Sequence, residues 1–217
     1  MHLLAATPGR AADGAEAVDL DQSPGEIVIL SAADTELACL AQAQARVIAR
    51  LGEAAPSVRL ANLMQLAHNL SVDLYVEQVI AEARLVVVRL IGGVGYWPYG
   101  IEQIAGIARQ KGIALAVIPG DDKPDAELMA HSTLEPETVQ RLWTYLTQGG
   151  VENATSMLNH AGHLLGRETR WTEPAPLLSA GLYWPELELP GLEDLRRHWE
   201  PGKPIAGIVF YRALVQA

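Results

Sequence analysis

The sequence predicts an α/β fold: a Rossmann-like parallel sheet with flanking helices and an added helical pair. Three observations predict it. Short apolar, β-leaning runs alternate with helical patterns as far as Ile118, which favours parallel strands joined by helical crossovers. Two helical patterns then follow one another with no strand between them. Finally, 49% apolar residues in a chain of 217 are enough to bury a full-sized core.

The candidate strands are 2–5, 26–30, 58–60, 84–91, 113–118 and 205–211, with the clearest patterns starting at Glu26, Arg84 and Ile113. Between the second and third, Leu37, Leu40, Ala41, Val47, Ile48 and Leu51 recur at helical spacing, with Asp34 placed to cap the start and Gly52 to stop it. A second crossover helix carries Val72, Tyr75, Val76, Val79 and Ile80 behind Ser71 as a cap.

From Pro136 the pattern changes. Val139, Leu142, Trp143 and Leu146 mark one helix, and Ala154, Leu158, Ala161 and Leu165 mark the next, with Gly149-Gly150 as the tight connection. Six prolines between Pro174 and Pro204 then predict extended or turn-rich chain with one short helix over 192–199. The expected organisation is a Rossmann-like domain over 1–130, a helical pair over 131–170, a Pro-rich linker over 171–204 and the opening strand of a following domain over 205–217. That last strand would lack its crossover partner, so the sequence reads as part of a longer chain.

A net charge of −10 without acidic runs works against binding a phosphate backbone, so nucleic acid is not an expected partner. The one cysteine, Cys39, rules out an internal disulfide and a Cys-rich zinc site. The start of the sequence lacks a basic leader, and no run approaches the ~18 apolar residues of a membrane span. No membrane is expected, and the chain reads as cytoplasmic.

Two segments resemble a known family. The run from Arg84 through Gly92-Gly93-Val94-Gly95-Tyr96-Trp97-Pro98-Tyr99-Gly100 resembles the strand and glycine–aromatic loop near the start of cobaltochelatase large subunits. Pro204-Ile205-Ala206-Gly207-Ile208-Val209-Phe210-Tyr211 is similar to the strand that opens the next domain there. The opening Met1-His2-Leu3-Leu4 and the stretch Ile29-Leu30-Ser31-Ala32-Ala33-Asp34 fit the same family, which is related to the porphyrin-binding subunit of magnesium chelatase. The resemblance implies ATP-driven insertion of Co²⁺ into hydrogenobyrinic acid a,c-diamide, on the aerobic route to cobalamin. It implies as partners the remaining domains of the large subunit, an AAA+ ATPase subunit and a metal-binding third subunit, with Co²⁺, ATP and Mg²⁺ used by the full complex. The metal-insertion residues of the family fall beyond Ala217, so this segment is expected to hold no cofactor and to be inactive alone.

Among the motifs, the loop from Gly92 to Gly100 follows the strongest strand and precedes a helical run, where open α/β sheets place their ligands. It is not a nucleotide loop. No Gly-Lys-Ser/Thr triplet occurs in it, and Pro98 stands where the dinucleotide pattern needs its third glycine. Gly92, Gly93, Gly95, Tyr96, Trp97 and Tyr99 are therefore binding or interface candidates for a flat ligand or a neighbouring domain, against the plainer reading that the aromatics cover the sheet end. Arg89, inside an apolar run, needs either a structural carboxylate or a carboxylated corrinoid side chain. His160 and His163 share a helix face and are weak metal candidates without a third ligand in view. His68 and His131 stand without a catalytic signature, and Asp121-Asp122 reads as a solvated turn. Neither Gly-x-Ser-x-Gly nor His-Glu-x-x-His occurs. The alternative function is a free-standing Rossmann-like small-molecule binding module using the same glycine–aromatic loop.

Overall fold

Four of the apolar runs pair as strands: β1 (Ile27–Ser31), β2 (Val58–Asn62), β3 (Leu85–Leu90) and β4 (Ala114–Pro119). They form one parallel sheet in the order β2-β1-β3-β4. The computed structural model describes residues 16–176, 180–185, 187 and 190–210, so the expected strand at 2–5 lies outside the described residues. β1 and β3 are apolar on both faces because both faces are covered, which is the pattern of central parallel strands.

Alternation sorts the two faces. Val28, Leu30, Val86, Val88 and Leu90 meet α2 (Asn69–Gln78) and α3 (Pro98–Lys111), while Ile27, Ile29, Leu85 and Val87 meet α1 (Asp34–Leu51). The side chains of Ile27, Val28, Ile29 and Leu30 have no solvent exposure, and each such burial contributes about 2 kcal/mol.

A short helix, α4 (Ala126–Met129), follows β4, with the Asp125 side chain accepting from the Leu128 amide at 2.9 Å as its cap. The helical pair, α5 (Pro136–Gln148) and α6 (Val151–Leu164), lies on the α1 side of the sheet. It is an integral layer rather than an attachment: Leu142, Tyr145, Met157 and Leu158 share one buried cluster with Leu85, Val87, Ala116 and Ile118 of the strands. Packing therefore continues across residue 130. α1 leans over β1 and β2, so another element has to cover the far half of that face.

The caps differ in detail from expectation. Ala33, not Asp34, occupies the N-cap of α1; Asp34 begins the helix and accepts a 2.7 Å bond from Asn62 Nδ2. His68 caps α2, its Nδ1 accepting from the Leu70 amide at 3.1 Å. Ser71 sits inside that helix and its Oγ accepts from Val18 N at 2.7 Å. Gly52 ends α1 as expected, at φ +56°.

The first residues of the Pro-rich stretch are strapped across the helical pair. Asn153 exchanges two bonds with Ala175, of 2.8 and 2.9 Å, the Tyr145 hydroxyl donates to the Thr172 carbonyl, and Arg141 holds Glu173 at 2.9 Å. Further on, α7 (Leu192–Arg196) is the short helix expected over 192–199. The expected strand at 205–211 is not formed among the described residues: 205–210 has no ladder and is exposed, and Tyr211 lies outside them. A strand exists only through its pairing, and apolar composition alone supplies none.

Candidate functional site

The site sits at the carboxyl end of β3, where the strand order changes direction between β1 and β3. Gly92 and Gly93, at φ +92° and +72°, turn the chain out of the sheet in a region that side chains rarely enter. One 3-10 turn over Val94–Tyr96 follows, and Pro98 opens α3 at a position where its missing N–H costs nothing.

The three aromatics do different things. Trp97 is buried, its indole N–H donating 3.0 Å to the Leu66 carbonyl, and it lies so close to α3 that a Cβ on Gly100 would stand 2.1 Å from its ring. It supports the loop from beneath and is not available to a ligand. Tyr96 is half exposed, with its hydroxyl 3.0 Å from Met64 Sδ. Tyr99 is partly covered and donates 2.7 Å to Asp73 Oδ1; that bond raises the phenol pKa, because ionisation would set two negative charges side by side. The loop thus presents Tyr96, Tyr99 and the backbone of Gly92, Gly93 and Gly95.

Arg89 is not part of this surface. Alternation along β3 places it with Leu85 and Val87, on the opposite face of the sheet from Trp97. It is buried, ion-paired with Glu36 of α1, and donates to the carbonyls of Leu146, Gly120 and Pro119 at 3.1, 3.1 and 3.3 Å. Burial pushes its pKa down to about 10, against the opposing pull of Asp121, so it remains a cation at neutral pH. The guanidinium joins α1, β4 and α5, which accounts for its burial without a corrinoid carboxylate. Glu36 and Asp73 are the residues that sequence reasoning missed. The signal for Glu36 was available, since a buried Arg requires a carboxylate and Glu36 stands in the first turn of a neighbouring helix.

His160 and His163 do not converge. His160 is buried against Trp171, ring centroids 4.4 Å apart, whereas His163 is exposed and 6.2 Å from the same ring. Burial, then the nearby Arg141 charge, lowers the His160 pKa to about 4. No group of three or more His, Cys, Asp or Glu is placed to hold a metal among the described residues. An open cavity of about 510 Å³ beside His163, Arg167 and Arg170 lies at the other end of the sheet, where Arg167 pairs with Glu26 ahead of β1. It is separate from the glycine–aromatic loop.

No protein-family model matches the sequence. The chain is 44% identical over 218 residues to the aerobic cobaltochelatase subunit CobN of Pseudomonas aeruginosa, a match that covers all of this chain. It belongs to the CobN cobaltochelatase family. CobN of a Sinorhizobium species is 43% identical over 227 residues, again along the whole chain. The chain spans only 17% of the length of each of these two relatives. The catalytic subunit of cobaltochelatase from Mycobacterium tuberculosis resembles 73% of this chain with a TM-score of 0.55 and 28% identity, and the match takes up 12% of that structure. Among the described residues, no helix is long and apolar enough to cross a membrane.

Proposed function

We propose that this chain is the amino-terminal head segment of a cobaltochelatase large subunit, in a complex that inserts Co²⁺ into hydrogenobyrinic acid a,c-diamide at the expense of ATP. The whole-length identity to CobN proteins carries this reading. The segment itself performs no chemistry. It has no phosphate loop, and Arg89, the one buried cation of the sheet end, is committed to Glu36. ATP and Mg²⁺ belong to an AAA+ partner, and the metal ion is delivered to the body of the large subunit with a third subunit.

The segment's contribution is a surface. Tyr96 and Tyr99 sit on a loop braced by Trp97 and by two glycine turns, and such rigid aromatics supply contact area at little entropic cost. They face the corrinoid or the next domain of the subunit. The test is cobalt insertion by the reconstituted complex carrying Tyr96→Ala and Tyr99→Ala. Insertion or corrinoid binding is expected to fall at least about tenfold while the melting temperature changes little, and full activity refutes the role of the loop. The isolated 217-residue chain is expected to show neither ATP hydrolysis nor cobalt insertion.

A further inference from the structure

At the amino end of the sheet two guanidiniums close on one carboxylate. Arg167 Nη2 meets Glu26 at 2.5 Å and Arg84 Nη1 meets it at 3.5 Å. Beside them opens the cavity of about 510 Å³, lined by His163, Gly166, Arg167, Glu168, Thr169 and Arg170. The guanidiniums of Arg84, Arg167 and Arg170 thus stand against the two carboxylates of Glu26 and Glu168, in a chain whose formal net charge is −10. The local surplus is positive, and the His163 imidazole adds a further donor at the rim.

Two of these cations have donors to spare. Arg170 is exposed and forms no ion pair among the described residues. Arg167 spends Nη1 on the Ala54 carbonyl at 2.8 Å and Nη2 on Glu26, while its Nε–H is buried with no acceptor among the described residues. A buried donor without an acceptor is costly, and an oxygen entering from the cavity supplies one.

The end of α6 does not oppose an anion here. The carbonyls of Ala161, Gly162 and His163 accept from the amides of 165–167, and the Leu165 carbonyl accepts from Arg84 at 2.9 Å, so the negative end of this helix is met by the protein's own donors. The opposite end of the sheet has the reverse character. Asp73, Asp121, Asp122 and Asp125 gather around the glycine–aromatic loop and the end of β4, with Asp125 Oδ2 3.2 Å from where a Cβ on Gly93 would stand. That surface repels anions, and the cavity attracts them.

We infer that this cavity binds a small, multiply charged oxyanion, a phosphate or a polycarboxylate, held at the mouth by Arg170 and His163 and from beneath by the Arg167 Nε–H. Guanidinium and imidazole N–H groups suit both kinds of oxyanion, and the volume admits a molecule with several charged groups. The site is independent of the aromatic loop and of the role proposed for it.

Isothermal titration calorimetry of the 217-residue chain in about 20 mM salt tests this, with inorganic pyrophosphate and citrate as the probes. Saturable binding of at least one probe, with Kd below about 1 mM, is expected. Pyrophosphate alone identifies a phosphate ligand, citrate alone a polycarboxylate. Arg170→Glu is expected to weaken binding at least about tenfold, whereas Arg109→Glu, the same charge change at the exposed end of α3, alters it less than about twofold. No saturable binding of either probe overturns the inference. So does binding that survives Arg170→Glu, and so does an equal loss in both variants, which is the response to net charge alone.

Discussion

In β1 the run Ile27-Val28-Ile29-Leu30 has no solvent exposure, whereas Ile205-Ala206-Gly207-Ile208-Val209-Phe210, a comparably apolar run, leaves Val209 wholly exposed. The first is flanked by β2 and β3 and covered by helices on both sides; the second has neither. An apolar run is a request for a partner, and whether it becomes a strand depends on what surrounds it. The α/β unit answers that request internally, and the arm over 205–210 does not. Stability in the unit is therefore set by its own packing, and the exposed run contributes little to it.

The largest effect expected from this contrast is at Arg89. Arg89→Ala strands the Glu36 carboxylate in the core and is expected to destabilise the chain by about 3–5 kcal/mol, read as a lower urea midpoint. The paired change Arg89→Met with Glu36→Leu removes both charges and is expected to recover most of that loss. A single-variant loss of under about 1 kcal/mol breaks the claim that the unit depends on this clamp.

Next is the pH dependence at His160. Its pKa is about 4 in the folded chain against 6.5 as the ordinary value, so the unfolded chain binds the proton more readily. The stability this group contributes is complete above pH 6.5 and is lost as pH falls through about 4, a change on the order of 3 kcal/mol. Urea melts across that window are expected to show the slope, and His160→Phe to flatten it. A slope that survives the substitution assigns acid sensitivity to another group.

A smaller effect is expected at Tyr99. Tyr99→Phe removes one solvent-facing bond to Asp73 and is expected to lower the urea midpoint only slightly. In an alkaline titration followed by absorbance, Asp73→Asn moves the Tyr99 phenol back down toward its ordinary value. An unchanged titration shows that Asp73 does not hold the loop.

The smallest effect is the sharpest test of the contrast. In the isolated chain, Val209→Asp is expected to change stability by less than about 0.5 kcal/mol, since the residue is fully exposed. A loss of 2 kcal/mol or so, typical of a core site, means that the arm already packs on the unit and that the two regions are one.

Much of this protein was determined by sequence alone. Both-face-apolar runs at 26–30 and 84–91 specified buried parallel strands, Gly149-Gly150 specified the connection of α5 to α6, and Gly92-Gly93 specified the turn out of β3, because each depends on local sterics or on a period the chain carries with it. Tertiary structure decided the rest. It sent Trp97 into the core and left Tyr96 outside, although the two are adjacent, and it paired Arg89 with Glu36, separated by 53 positions. It also placed α5 and α6 as a layer of the sheet, and it withheld strand structure from 205–210. These outcomes depend on which surfaces meet, and a linear pattern records what a segment can bury without recording what it will be buried against.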